Sequence, residues 1–336
     1  MQDRRDFLKT GFSIAAAGLA GAAALTGARR SLAEEAPPET TSLRLGQIPA
    51  TCLAPLDILD DLLRDEGFAD IRYVPTPGAF PEFLARGEVD FGQDFSPPEI
   101  IGIEAGKPVL MLAGVHPACF ELFARESIRS VFDLKRKNVG VSWVGNGDHA
   151  TLSLIVASVG LDPAKDINWV ALGARDPREI FTDDPIDAFL TFPPWAQELR
   201  ARKSGHVILN SALDRPWSQY FCCMLVGTAD FVRRNPIATK RVVRAMMRAT
   251  DICAAKPDWV AQRLVDRGFT PRYDYAREGL DDVSYRAWRD YDVEDAVRFY
   301  TLRLRELGFI KSSPDKIIAT GTDWRFLKEV RKELGI

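Results

Sequence analysis

From residue 43 onward, short apolar runs with strand character alternate with stretches whose apolar residues recur at helical spacing. Leu43-Arg44-Leu45-Gly46-Gln47-Ile48 reads as a first strand. A helix follows, with Pro55 near its start, Leu56, Leu59 and Leu63 along one face, and Gly67 to stop it. Ile71 to Val74 predicts a second strand, Phe80 to Ala85 a short helix, and Gly87 to Gly92 carries a third strand. Val109 to Val115 is apolar throughout, as a parallel strand buried on both faces is. The alternation then restarts with a strand over Val139 to Trp143 and a helix over His149 to Val159, ended by Gly160. Trp169 to Leu172, Ile186 to Leu190 and Val207 to Leu209 predict further strands, and the apolar run Phe221 to Val226 can carry the chain back across. From Ala229 the pattern is helical, with Pro236 and Pro257 as helix starts.

This order predicts an α/β protein of two Rossmann-like lobes joined by two crossovers, with a helical C-terminal tail. The expected division is lobe I over 42–128, lobe II over 129–217, and a return crossing and tail over 218–336 that packs mainly on lobe I. The crossovers are expected near Ser127 to Asp133 and Pro216 to Phe221, so that the lobes rotate as rigid bodies. Such folds bind ligands where the C-terminal ends of their strands face one another.

The first 33 residues read as an address. Arg4-Arg5 precedes Phe7-Leu8-Lys9, an apolar Ala/Gly-rich run spans Phe12 to Leu25, and Ser31-Leu32-Ala33 offers a cleavage site. This resembles a bacterial twin-arginine export signal, which implies a periplasmic destination. The run is too short and too rich in glycine and alanine for a transmembrane helix, and no later run is long enough to span a bilayer. Residues 34–41, Glu-Glu-Ala-Pro-Pro-Glu-Thr-Thr, are expected to be a loose leader. Removing residues 1–33 takes the formal net charge from −3 to about −6. A mildly acidic mature chain without a block of Lys or Arg argues against nucleic acid and against a lipid surface. The five cysteines, Cys52, Cys119, Cys222, Cys223 and Cys253, are an odd number for an oxidising compartment and too few for a disulfide framework.

Candidate ligand contacts lie at the predicted C-terminal edges of strands. In the first lobe these are Thr51 and Cys52, then Asp94, Phe95 and Ser96, then His116, with Cys119 just beyond. In the second they are Trp143, Asn146, Asp148 and His149, followed by Pro194 and Trp195, with Phe192 nearby. Ser96-Pro97-Pro98-Glu99 reads as a capping box with Ser96 at the N-cap, and Asp148 as the cap before His149. A third helix N-terminus opens near Ala54 and Pro55. Such termini hold anions, although every helix also needs a cap. Trp143 and Trp195 suit inter-lobe packing as well as ligand stacking, and each histidine suits a structural role as well as a contact. Few cations lie in these loops, with Arg175 the exception, which favours a neutral or cationic organic solute over nitrate or a sulfonate.

Several short stretches, in this order, resemble the NitT/TauT-type, NMT1/THI5-like solute-binding proteins. They are Leu45-Gly46-Gln47 with Ala50 to Pro55; Gly87 to Gly92; Gly140-Val141-Ser142 through His149; Gly160-Leu161-Asp162-Pro163; Ile186 to Phe189 with Pro193-Pro194; and Thr322 to Leu327. The resemblance implies the type II periplasmic-binding fold and capture of a small solute by hinge closure. It also implies delivery to the permease and ATPase subunits of an ABC importer, without catalysis, metal or cofactor. Two other readings remain open. One is a THI5-like pyrimidine-synthesis enzyme, which Phe221-Cys222-Cys223-Met224 echoes faintly, although buried cysteine in an apolar strand is ordinary. The other is a metal or redox site from Cys52, His116, Cys119 and His149, where Cys52 and Cys119 can alternatively form a disulfide.

Overall fold

The computed structural model of the chain describes residues 35–117, 119–173, 175, 179 and 185–336. The expected export signal, residues 1–33, lies outside them.

The first sheet is built from β1 (Ser42–Gln47), β2 (Asp70–Pro75), β3 (Phe91–Phe95), β4 (Val109–Pro117) and β10 (Phe221–Thr228), in the order β2-β1-β3-β10-β4. The second contains β5 (Glu121–Ala124), β6 (Asn138–Val141), β7 (Asn168–Ala171), β8 (Ala188–Thr191) and β9 (His206–Asn210), in the order β7-β6-β8-β5-β9. Within each sheet the first three strands pair in parallel, and the fourth, β10 or β5, is antiparallel to both neighbours. The antiparallel strand is in each case the one that arrives from the other sheet. A chain leaving the C-terminal end of one parallel strand enters the facing sheet at its matching edge, and so must run away from that edge.

This rule places the first crossing between Pro117 and Glu121, ahead of the expected Ser127 to Asp133. Glu121–Ala124 had no strand signature of its own, because four buried residues show no alternation. The second crossing runs from Asn210 to Phe221. The third strand also starts later than expected, at Phe91, because Gly87 adopts φ 65° and ends the preceding helix.

The helices in chain order are α1 (Ala54–Asp57), α2 (Asp60–Asp65), α3 (Phe80–Ala85), α4 (Ser96–Glu104), α5 (Gly147–Ser158) and α6 (Trp195–Arg202). The tail follows as α7 (Ala229–Arg234), α8 (Pro236–Ala255), α9 (Pro257–Asp266), α10 (Tyr273–Asp282), α11 (Val293–Glu306), α12 (Pro314–Gly321) and α13 (Arg325–Leu334). The long α8 lies against α1, α2 and β4 of the first lobe. Its Arg244 is buried with Glu66 from the end of α2 (2.6 Å) and also meets Glu333 of α13 (2.9 Å). The tail also reaches the second lobe: Arg200 of α6 binds Glu121 (2.7 Å), Glu278 (2.8 Å) and Asp282 (2.5 Å), the last two on α10. The leader, expected to be loose, is tied down near its end. Both carboxylate oxygens of Glu39 accept backbone N–H groups at the start of α8, from Ile237 (3.0 Å) and Ala238 (2.9 Å). No helix among the described residues is long and apolar enough to cross a membrane.

Candidate functional site

The C-terminal ends of the parallel strands of both sheets open onto one cavity of about 740 Å³. From the first sheet come Ile48 and Pro49 after β1, Thr76 after β2, and Asp94 and Phe95 at the end of β3. The second sheet contributes Val141 to Asp148 around the β6–α5 turn, Leu172 and Gly173 after β7, and Phe189 to Phe192 at the end of β8, with Trp195 opening α6.

Its aromatic back wall crosses between the sheets. Phe95 meets Phe120 edge-on at 5.2 Å, and Phe120 meets Phe192 at 6.1 Å. Phe120 sits in the first crossing, so one ring joins the two lobes behind the cavity. The start of α5 closes against the start of α4: a Cβ on Gly147 would come within 3.0 Å of both Phe95 and Pro98. A side chain there would press on both, and the close approach brings two helix N-termini to the same cavity.

Two polar features stand out on the lining. Thr191 ends β8 with its hydroxyl buried and without a hydrogen-bond partner among the described residues. A buried hydroxyl left unpaired costs free energy that a ligand can return. The second is Asp94, 4% exposed, whose carboxyl lies against that of Glu99. Burial pushes Asp94 up, and it pushes Glu99 up as well, with the Asp94 charge adding to the effect on Glu99. Neither Glu99 oxygen has a hydrogen-bond partner among the described residues, and burial beside Asp94 favours the neutral form of its carboxyl.

Asp94, Phe95, Trp143, Asn146, Asp148 and Trp195 therefore line the cavity, as the sequence suggested by position. Asp148 is engaged in structure: its carboxylate accepts the N–H groups of Ser142 (2.5 Å) and His149 (2.9 Å), tying the end of β6 to α5. The cap of α5 is Asn146, two residues earlier than expected. His149 turns away from the lining. Its Nδ1 accepts the Gly145 N–H (3.1 Å), its ring packs edge-on against Trp169 (4.6 Å) and Phe309 (5.8 Å), and burial lowers its pKa.

The other candidates sit behind the walls. Ser96 is the first residue of α4 rather than its cap, and its hydroxyl donates to the carbonyls of Phe221 (2.9 Å) and Cys222 (3.1 Å). The expected capping box is thus absent, because Glu99 is turned to Asp94. Thr51 and Cys52 lie buried in a short 3-10 helix, where the Thr51 N–H donates to the Pro193 carbonyl (3.0 Å) and holds the two lobes together. Pro194 precedes α6 next to that contact. His116 is fully buried at the end of β4 beside Tyr285 of the tail.

Sequence reasoning missed Thr191, Phe120 and Phe80 as lining residues. Thr191 was findable, since it directly precedes Phe192 at a strand end. Phe120 was not, because the crossing was expected some residues later.

The sequence profile of the NMT1-like family matches residues 36–264. A Brucella abortus protein named as a binding protein is 26% identical over 192 residues, which is 56% of this chain and 59% of that protein. The chain thus spans about three-fifths of the length of the curated relatives it matches. Among solved structures, the periplasmic nitrate-binding protein NrtA of Synechocystis PCC 6803 is similar, with a TM-score of 0.73 at 17% identity, over 89% of this chain and 90% of that one. The alkanesulfonate-binding protein SsuA of Xanthomonas axonopodis pv. citri, bound to MOPS, gives 0.65 at 18% identity, over 79% and 94%. At these identities the likeness establishes the fold, the type II periplasmic-binding architecture of two α/β lobes.

Proposed function

The chain belongs to the NMT1-like family, and we propose that it is the periplasmic solute-binding component of an ABC importer, closing its two lobes around a small organic molecule. The observation that carries this reading is the single cavity lined from both sheets at their strand C-termini. Its volume of about 740 Å³ suits a small-molecule site, and its aromatic walls with a few convergent polar groups suit an organic solute.

The solute class follows from the charges. Asp94 and Asp148 stand on the lining against Arg175, whose Nε donates to the Leu172 carbonyl (3.0 Å). Nitrate and sulfonates are bound by NrtA and SsuA, as their names state. Here the carboxyl-bearing floor favours a neutral or cationic solute, flat enough to lie between Trp143 and the Phe95–Phe120–Phe192 wall. Thr191 then supplies a hydroxyl contact from the second lobe. A pyrimidine-synthesising role would ask for reactive thiols at the cavity, and Cys222 and Cys223 are not on its lining. Export by the twin-arginine route and delivery to permease and ATPase subunits complete the proposal.

A thermal-shift screen of the chain from residue 34 tests it, with pyrimidines, amines, aromatic acids, sulfonates and nitrate as probes. A solute at 100 times its Kd adds about 2.7 kcal/mol, a shift of a few degrees. A panel in which no probe moves the melting temperature overturns the reading. Shifts by nitrate or sulfonates alone overturn the solute class.

A further inference from the structure

Behind the cavity floor, four of the five cysteines and a histidine converge. The ligand atoms of Cys52, His116 and Cys119 lie within 4.8 Å of one another, and those of Cys119, Cys222 and Cys223 do the same. Cys119 is common to both groups. These side chains come from four places in the chain: the 3-10 helix after β1, the end of β4, the first crossing, and the start of β10. None is more than 5% exposed, and His116 is wholly buried. Cys253, also buried, belongs to neither group.

Adjacent strand residues point to opposite faces, so Cys222 and Cys223 would not ordinarily share a target. The register of β10 against β4 slips on both sides of Cys223, which pairs with His116. Such a slip re-aims side chains, and here it brings both thiols to Cys119.

The surroundings are those of a held ligand set. His116 Nδ1 lies 2.5 Å from the Pro117 carbonyl, where only an N–H donor fits. In the neutral ring that leaves the lone pair on Nε2, which is buried and has no hydrogen-bond partner among the described residues. A backbone carbonyl fixing one ring nitrogen is the usual way a ligating histidine is oriented. Tyr285 Oη and Gln93 Nε2 donate to the Cys52 carbonyl, both at 3.2 Å, and Ser96 Oγ donates to that of Cys222 (3.1 Å). The backbone carrying two of the thiols is thus pinned from three sides.

We propose that this cluster is a resident site for one thiophilic closed-shell ion, copper(I) or zinc(II), with Cys119, the residue common to both triads, as a ligand and the others drawn from Cys52, His116, Cys222 and Cys223. Thiolate and imidazole donors without a carboxylate select such ions over magnesium or calcium. Each ligating thiol gives its proton to solvent as its sulfur binds the ion, so metal uptake is accompanied by proton release. The site is separate from the solute cavity and does not depend on the transport reading.

The test uses the mature chain, reduced and stripped of metal, titrated separately with copper(I) and zinc(II) against competing chromogenic chelators. Cobalt(II) serves as a spectroscopic stand-in for zinc. One ion retained per chain, with thiolate-to-cobalt charge-transfer absorption, is the expected result. Cys119→Ser should abolish retention, and Cys253→Ser should leave it intact. Tyr285→Phe, which leaves every ligand in place, should weaken binding about 10–100-fold. If Cys119→Ser fails to fold, the wild-type titration still decides: retention of neither copper(I) nor zinc(II), or cobalt(II) bound without the charge-transfer band, overturns the proposal. Unreduced protein in which alkylation and mass measurement find these cysteines paired as disulfides also overturns it.

Discussion

On the first sheet's side of the cavity, Phe80 and Asp94 are 1% and 4% exposed and are backed by Glu99, Ser96 and the cysteine cluster. On the second sheet's side, Trp143 and Val144 stand 50% and 61% exposed, on a turn that reaches φ 93° at Gly145. Phe80 and Asp94 are part of the core. On the second side, Trp143 and Val144 sit on a loop with few buried contacts beside the buried Phe189 and Thr191, and such loops are the segments that move on ligand binding. A binding protein that closes by hinge motion needs one fixed surface to define its ligand and one adjustable surface to cover it. In the proposed closure the buried Phe80 and Asp94 would define the ligand and the exposed Trp143 turn would cover it, and substitutions at the two places should differ in kind.

The largest effect is expected on the fixed side. Phe80 lies between Gly46 and Gly92, either of which would overlap its ring if given a Cβ. Phe80→Ala should cost about 3–5 kcal/mol of stability, read by chemical denaturation. Gly92→Ala, which forces the ring aside, should cost about 1–3 kcal/mol.

Next comes a pH effect from buried carboxyls. Burial pushes Glu121 up to about 7 against the partial relief of Arg200, and it pushes the Asp94–Glu99 pair up as well. An acid whose folded pKa exceeds its unfolded one binds more protons when folded. Its contribution is favourable below about 4.5 and is lost as pH rises through its folded value. Stability should therefore decline from about pH 4.5 to about 7, and Glu99→Gln or Glu121→Gln should each flatten that decline in melts taken across the range.

The smallest effect on stability is expected on the adjustable side. Trp143→Ala should change the unfolding free energy by no more than about 0.5 kcal/mol. It should still weaken solute binding about fivefold, through loss of an aromatic face worth about 1 kcal/mol. A stability loss as large as that of Phe80→Ala would erase the distinction between the walls.

The sequence was most legible where periodicity is strong. The parallel strands around Leu45, Val139 and Phe189, and the helices opened by Pro236 and Pro257, follow from apolar spacing and proline placement. Position at a strand end was enough to bring Asp94, Phe95, Trp143 and Trp195 forward as candidates. The crossing was illegible because Glu121–Ala124 is short and wholly buried, and its partners are distant in sequence. His149 and Ser96 were expected at their helix starts to within one or two residues, but not with the orientation they adopt. Which way each faces depends on Trp169 and Phe309 in one case and on the β10 backbone in the other. The convergence of Cys222 and Cys223 on Cys119 depends on a slip in strand register, which no spacing in the sequence announces.

The most direct test of the account is calorimetric titration of the best solute from the screen into the wild-type chain and into Trp195→Ala and Thr191→Val. The account predicts one site per chain with a negative heat-capacity change, and clearly weaker binding in both variants while each remains folded. Unchanged affinity in both folded variants would place the solute elsewhere and contradict the claim that the cavity between the sheets is where this protein binds its ligand.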